Sequence, residues 1–75
     1  MQPQVHDLCP SHGTPARKEY EFGGMSPQPR ITVYSGCKCA RFDCEMPGGY
    51  EEKLFPSYSE AEGAARMALA IWAAS

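Results

Sequence analysis

Cys9-Pro10-Ser11-His12-Gly13 and Gly36-Cys37-Lys38-Cys39-Ala40-Arg41-Phe42-Asp43-Cys44 contain all four cysteines of this 75-residue chain. Cys9 and His12 stand three positions apart in a turn, a spacing that lets both side chains converge on one metal ion at about 2.0–2.3 Å. Gly13 follows them, and glycine reaches the positive φ that a tight reversal needs. In the second stretch three thiols compete for two places. Residues i and i+2 of an extended segment point to the same face, so Cys37 and Cys39 project together, and a modest bend brings both to one ion. Continued straight, the strand turns Cys44 to the opposite face. The reading therefore ranks Cys37 with Cys39 first and Cys39 with Cys44 second, so that Cys44 is the alternative ligand. His6 is a third choice and is more simply a solvated histidine.

A staple of this kind answers a need. A chain of this length buries only about 60% of its unfolded surface, and much of its 43% hydrophobic fraction is alanine, which buries little area. Disulfides and metals are the two usual remedies, and the redox compartment chooses between them. Met1-Gln2-Pro3-Gln4-Val5 has no positive segment followed by an apolar stretch of signal-peptide length. The one long apolar run, Ala64 to Ala74, is interrupted by Arg66 and is too short to span a bilayer. The expectation is a soluble chain in the cytoplasm, with no membrane contact, where cysteines interspersed with histidines argue for metal before disulfides. Four protein ligands leave no open position for water or substrate, the mark of a structural zinc ion.

The rest of the chain supplies a small scaffold around that centre. Lys18 to Phe22 alternates, with Tyr20 and Phe22 on one face and Glu19 and Glu21 on the other, as a half-buried strand does. A Gly/Pro-rich loop leads to a second strand, Arg30 to Ser35, and Cys39 to Met46 reads as a third, stopped by Pro47-Gly48-Gly49. Tyr50 to Phe55 reads either as a short fourth strand or as a covering loop. Ser57 with Glu60 and Ser59 with Glu62 are overlapping capping boxes that start a helix running to about Ala73. Its apolar stripe passes through Tyr58, Ala61, Ala65, Ala68, Leu69 and Trp72. Gly63 costs about 1 kcal/mol inside a helix, and close packing at that point is the expected reason for it. The predicted fold is a small α+β single domain over residues 1–75. A zinc-ribbon-like β part, an antiparallel hairpin or three-stranded sheet, occupies residues 9–46, with one C-terminal α-helix at 57–74 packed on it.

The formal net charge of −2 hides an asymmetry. Arg17, Lys18, Arg30, Lys38 and Arg41 stand against Glu19 and Glu21 in residues 8–41, a net +3. Beyond residue 42, Asp43, Glu45, Glu51, Glu52, Glu60 and Glu62 face only Lys53 and Arg66, a net −4. A mildly acidic chain gains little from counterion release on DNA, which disfavours nonspecific duplex binding as the main role. There is no phosphate-binding glycine loop, no serine nucleophile elbow and no carboxylate pair set for a cleft. A Cys/His nucleophile pair needs a pocket that so short a chain hardly builds, so the chain is read as a non-enzyme.

At Cys9-Pro10-Ser11-His12-Gly13, Val33-Tyr34-Ser35-Gly36-Cys37-Lys38-Cys39-Ala40, and Ser59-Glu60-Ala61-Glu62 leading to Ile71-Trp72, the chain resembles the Lar family of restriction-alleviation proteins, small zinc-ribbon proteins of phages and prophages. The likeness covers most of the chain in order and spacing. It departs where His12 replaces a cysteine, where the second knuckle has one intervening residue instead of two, where Ala73 replaces the usual Asn, and in the extra Cys44. The resemblance implies a phage-type protein that binds and modulates or inhibits a host defence complex, restriction-type or otherwise nucleic-acid-targeting. Its partner would be a host protein and its place the host cytoplasm. Candidate contact residues are Met25, Arg30, Tyr34, Phe42 and Tyr50, because interfaces concentrate aromatics and arginine. The alternative is a nucleic-acid-binding ribbon with its basic strand residues on phosphates and Tyr20, Tyr34 or Phe42 stacked on bases. A monomer, or at most a weak dimer, is expected.

Overall fold

A computed structural model describes residues 8–24 and 28–75. Four strands and one helix follow one another: β1 (Ala16–Glu21), β2 (Arg30–Tyr34), β3 (Ala40–Met46), β4 (Gly49–Phe55) and α1 (Tyr58–Ala74). The strands form an antiparallel meander in the order β1-β2-β3-β4. The segment left open between strand and loop is thus a strand. β4 pairs with β3 along its whole length, from Ala40↔Phe55 to Met46↔Gly49, after a reversal made by Pro47 and Gly48. The three-stranded expectation is extended by one strand, and the α+β class with a C-terminal helix holds.

The pleat divides the sheet into two faces. Ile31 and Val33 of β2 and Ala40, Phe42, Cys44 and Met46 of β3 face the helix, where they form one core with Ala61, Ala65 and Ala68 of α1. Tyr20, Phe22, Phe55, Tyr58 and Trp72 close its margin. Alanines on the buried stripe let the helix axis lie near the sheet, and Tyr20 meets Tyr58 edge-to-face at 5.1 Å. Of the stripe expected on the helix, Ala61, Ala65 and Ala68 are buried and Tyr58, Leu69 and Trp72 are half-buried.

The opposite face holds Thr32, Tyr34, Arg41 and Asp43, all buried. Two of these are charged, and both have ionic partners on neighbouring strands: Arg41 Nη1 lies 3.3 Å from Glu52 Oε2, and Asp43 is paired with Arg30. The sequence of β3, Ala-Arg-Phe-Asp-Cys-Glu-Met, alternates like a half-solvated strand. As an interior strand of the sheet it is covered on both faces, with only Glu45 exposed.

Helix α1 begins as the sequence predicts at one of its two capping boxes. Ser57 is the N-cap, extended at φ −150° and ψ 157°; its hydroxyl accepts from the Glu60 amide at 3.4 Å and donates to the Glu60 carboxylate at 3.3 Å. Ser59 already lies inside the helix, and Glu62 pairs instead with Arg66 at 3.0 Å. At the far end the Trp72 indole N–H donates to the Glu45 carbonyl at 2.8 Å, tying the last turn to β3. Close packing at Gly63 is not found: the position is exposed, and a Cβ there would meet nothing within 4 Å. The helical stripe places residue 63 on the side away from the sheet, so no neighbour requires a glycine.

Candidate metal centre

Two backbone knuckles meet at one end of the sheet. In the first, the Cys9 amide donates to the Thr14 carbonyl at 2.8 Å, and the Gly13 amide donates back to the Cys9 carbonyl at 2.7 Å. Gly13 has φ +69°, a conformation that β-carbon sterics deny to most residues, and this closes the turn that carries Cys9 and His12. The second knuckle follows β2, where Gly36 turns the chain at φ +75° and delivers Cys37 and Cys39 just before β3. The Ser35 amide donates to the Pro15 carbonyl at 2.9 Å, so the two knuckles are linked by backbone before any metal is considered.

The four side chains converge. Cys9 Sγ lies 3.5 Å from His12 Nδ1, Cys39 Sγ lies 3.5 Å from the same nitrogen, and Cys37 Sγ lies 3.8 Å from Cys9 Sγ. All four ligand atoms fall within 4.8 Å of one another. A tetrahedral zinc site with metal–sulfur bonds of about 2.3 Å and metal–nitrogen bonds of about 2.05 Å has sulfur–sulfur edges of about 3.8 Å and sulfur–nitrogen edges of about 3.5 Å. The separations Cys9–His12, His12–Cys39 and Cys9–Cys37 match edges of such a tetrahedron, and the other three lie within 4.8 Å. Three thiols and an imidazole are also a donor set suited to zinc.

Neighbouring groups support the sulfurs. The Cys37 Sγ is 3.7 Å from the Thr14 hydroxyl. Desolvation works to raise the Cys37 thiol, but hydrogen bonds from the Cys39 backbone, from Thr14 and from the neighbouring cysteines bring it below its ordinary value. Cys39 moves the other way, pushed up to about 11 by desolvation and by the sulfurs of Cys9 and Cys37. Several thiolates cannot crowd together without a cation, and a divalent ion is what offsets their repulsion.

The remaining candidates separate cleanly. All four cysteines are free thiols in this structure. Cys44 is not at the cluster. It lies in the helix–sheet core with its thiol donating to the Glu45 carbonyl at 3.3 Å, and burial pushes that thiol up. The pairing of Cys39 with Cys44 is thereby set aside, because Cys44 lies on β3, facing α1. His6 and Met25 lie outside the described residues.

Among the candidate contact residues, Tyr34 and Phe42 are corrected: both are buried, at 1% and 5% exposure. Each sits on an interior strand of the sheet, Phe42 under the helix and Tyr34 on the other face, so neither offers a surface. Tyr50 is 57% exposed. Arg30 is half-buried and committed to Asp43, donating from Nε at 3.2 Å and from Nη2 at 2.8 Å. Tyr50 donates to the same carboxylate at 2.5 Å. Burial tends to raise Asp43, but these bonds from Arg30 and Tyr50 hold its carboxyl below the usual range, while desolvation and Asp43 push Tyr50 up to about 12. The sequence reading missed this triad. Its signal was the hairpin turn at Pro47-Gly48, which sets Asp43 opposite Glu52 and hence diagonal to Tyr50.

Three of the basic residues proposed for phosphate contact are engaged within the molecule. Arg30 and Arg41 are in ion pairs across the sheet, and Lys18 lies 4.9 Å from the Tyr20 ring centre. Arg17 and Lys38 remain exposed at the knuckle end. Among the described residues no helix is long and apolar enough to cross a membrane. Comparison with protein-family models, with curated proteins and with solved structures finds no match.

Proposed function

We propose that this chain is a small non-enzymatic interaction module held together by one structural zinc ion on Cys9, His12, Cys37 and Cys39. The observation that carries the reading is the convergence of four ligand atoms within 4.8 Å of one another, three of their separations matching the edges of a tetrahedral site. A closed ligand sphere leaves the ion no position for substrate, so its work is to hold the fold. The surface then does the binding.

The finer reading rests on the motif resemblance: a phage-type protein in the host cytoplasm that engages and modulates or inhibits a restriction-type or other nucleic-acid-targeting host complex. Two features favour a protein partner over nucleic acid. The acidic residues Glu51 and Glu60 line an open groove between β4 and α1, and most of the basic strand residues are already engaged within the molecule. Expression of the chain in restricting bacteria should raise the plating efficiency of unmodified phage, and Cys39→Ser should abolish that rise. No rise with any restriction system tested removes the host-defence reading and leaves the zinc module standing. For the nucleic-acid alternative, an arbitrary oligonucleotide should bind at low salt and be released steeply as salt rises; no binding at low salt excludes it.

A further inference from the structure

Among the described residues, three of the four exposed large hydrophobic side chains, Tyr50, Met67 and Ile71, belong to β4 or to the groove beside it, lined in part by Phe55, Met67 and Ile71. β4 is an edge strand. Its other side is unpaired among the described residues, and most of its residues are exposed. Edge strands are usually blunted by bulges, prolines or charges. β1, at the opposite edge, has a register shift between Ala16 and Lys18. β4 has no proline, and its register with β3 is unbroken; it carries only the charged run Glu51-Glu52-Lys53.

We infer that β4 pairs with β4 of a second copy of this chain, about a two-fold axis at Glu52, to give a continuous eight-stranded antiparallel sheet with both helices on one face. Charge pairing and strand overlap together select this arrangement. Directly opposed residues in an antiparallel pair share a face, so the axis must pass through a residue. An axis at Glu51 opposes two glutamates and sets Tyr50 against Glu52. An axis at Lys53 opposes two lysines and sets Tyr50 against Pro56. The axis at Glu52 is the midpoint of Gly49–Phe55 and pairs all seven residues. It sets Glu51 against Lys53 twice and Tyr50 against Leu54 twice. Its one like-charge pair, Glu52 with its copy, is moderated because each Glu52 already lies 3.3 Å from the buried Arg41.

The same operation carries the two grooves together. On β4, Glu51, Lys53 and Phe55 lie on the helix side, since they oppose Cys44, Phe42 and Ala40. Around the axis the two copies of Met67 and Ile71 therefore flank the new strand pair from the same face. A strand edge and a small apolar patch make a modest interface, below roughly 1,200 Å², so dissociation falls in the micromolar range. The inference concerns a strand none of whose residues is a metal ligand, although Glu52 and Leu54 share a cavity with Cys9, and it stands whether or not the host-defence reading does.

Sedimentation or light scattering from about 1 µM to about 1 mM should show the mass rising from 8.2 kDa towards twice that value. Lys53→Glu opposes acid with acid in both pairs that flank the axis and should keep the chain at 8.2 kDa over this range. The double exchange Glu51→Lys with Lys53→Glu should restore the dimer. Circular dichroism and metal content verify that each variant is folded; should one fail to fold, amide exchange of the unaltered protein decides. The 49–55 amides should exchange more slowly as concentration rises, and those of β1 should not change. A constant monomer mass, an unimpaired dimer in Lys53→Glu, or concentration-independent exchange in β4 overturns the inference.

Discussion

At one end of the sheet, four polar ligand side chains meet where two knuckles touch, under little apolar cover; Leu8 beside them is 37% exposed. Along the rest of it, alanines of α1 lie on Ile31, Val33, Phe42 and Met46 in a shared interior. The cysteines divide between these regions. Cys39 and Cys44, five residues apart, belong to different kinds of stabilisation. On the proposed reading, stabilisation of the knuckle region is concentrated in bonds to one ion, whereas under the helix it is spread over many dispersion contacts of about 0.1–0.2 kcal/mol each. Damage to the first should act all at once, and damage to the second by degrees.

Metal removal is the severest way to test that contrast. Structural zinc in small domains is worth about 10–16 kcal/mol of apparent binding free energy, comparable to the roughly 5–15 kcal/mol by which whole domains are stable. A chelator, or Cys39→Ser, should therefore unfold the sheet and helix together, read as loss of one bound ion by native mass measurement alongside loss of the circular dichroism signal. A metal-free chain with an equally sharp melt would erase the distinction between the regions.

Cys44→Ala tests the other side of the comparison. It should cost about 1–2 kcal/mol through lost burial and a small cavity, measured by denaturant titration, while one ion per chain stays bound. Loss of the ion would mean that Cys44 is a ligand.

Smaller effects are expected on the sheet face away from the helix. Tyr50→Phe removes the hydrogen bond to Asp43; because Tyr50 is more than half exposed, the usual worth of a bond to a carboxylate is discounted to about 1 kcal/mol. Tyr50 has its folded value raised from 10.0 to about 12. Its contribution is therefore fully present below pH 10 and is lost as pH rises through about 12. The stability difference between wild type and Tyr50→Phe should shrink across that interval, and a pH-independent difference would show that the phenol proton is not involved.

Gly63→Ala should act least and in the opposite direction, stabilising the helix by up to about 1 kcal/mol, read as a rise in Tm. A fall would reveal a neighbour at the open side of α1 that the isolated chain does not contain.

Much of this architecture was legible because its signals are local. Cys9, His12, Cys37 and Cys39 were picked by spacing, and Ser57 with Glu60 marked the helix start. Where readings failed or stayed open, the missing information was non-local. Glu51-Glu52-Lys53 has no apolar alternation, so only pairing with β3 makes β4 a strand. Arg41 and Asp43 have the spacing of a solvated face, and it is Glu52 and Arg30, brought from neighbouring strands, that allow them to be buried. Tyr34 and Phe42 carry the composition of contact residues, and their interior strands cover them.

The amino-acid order alone determined the ligand types, the turns that present them and the amphipathic stripe of the helix, since each depends on residues a few positions apart. Strand count, the burial of both faces of β3, the assignment of Cys44 to the core and the open edge of β4 were decided by tertiary structure. Those features depend on which segments lie side by side, and burial is a property of neighbours rather than of the residue itself.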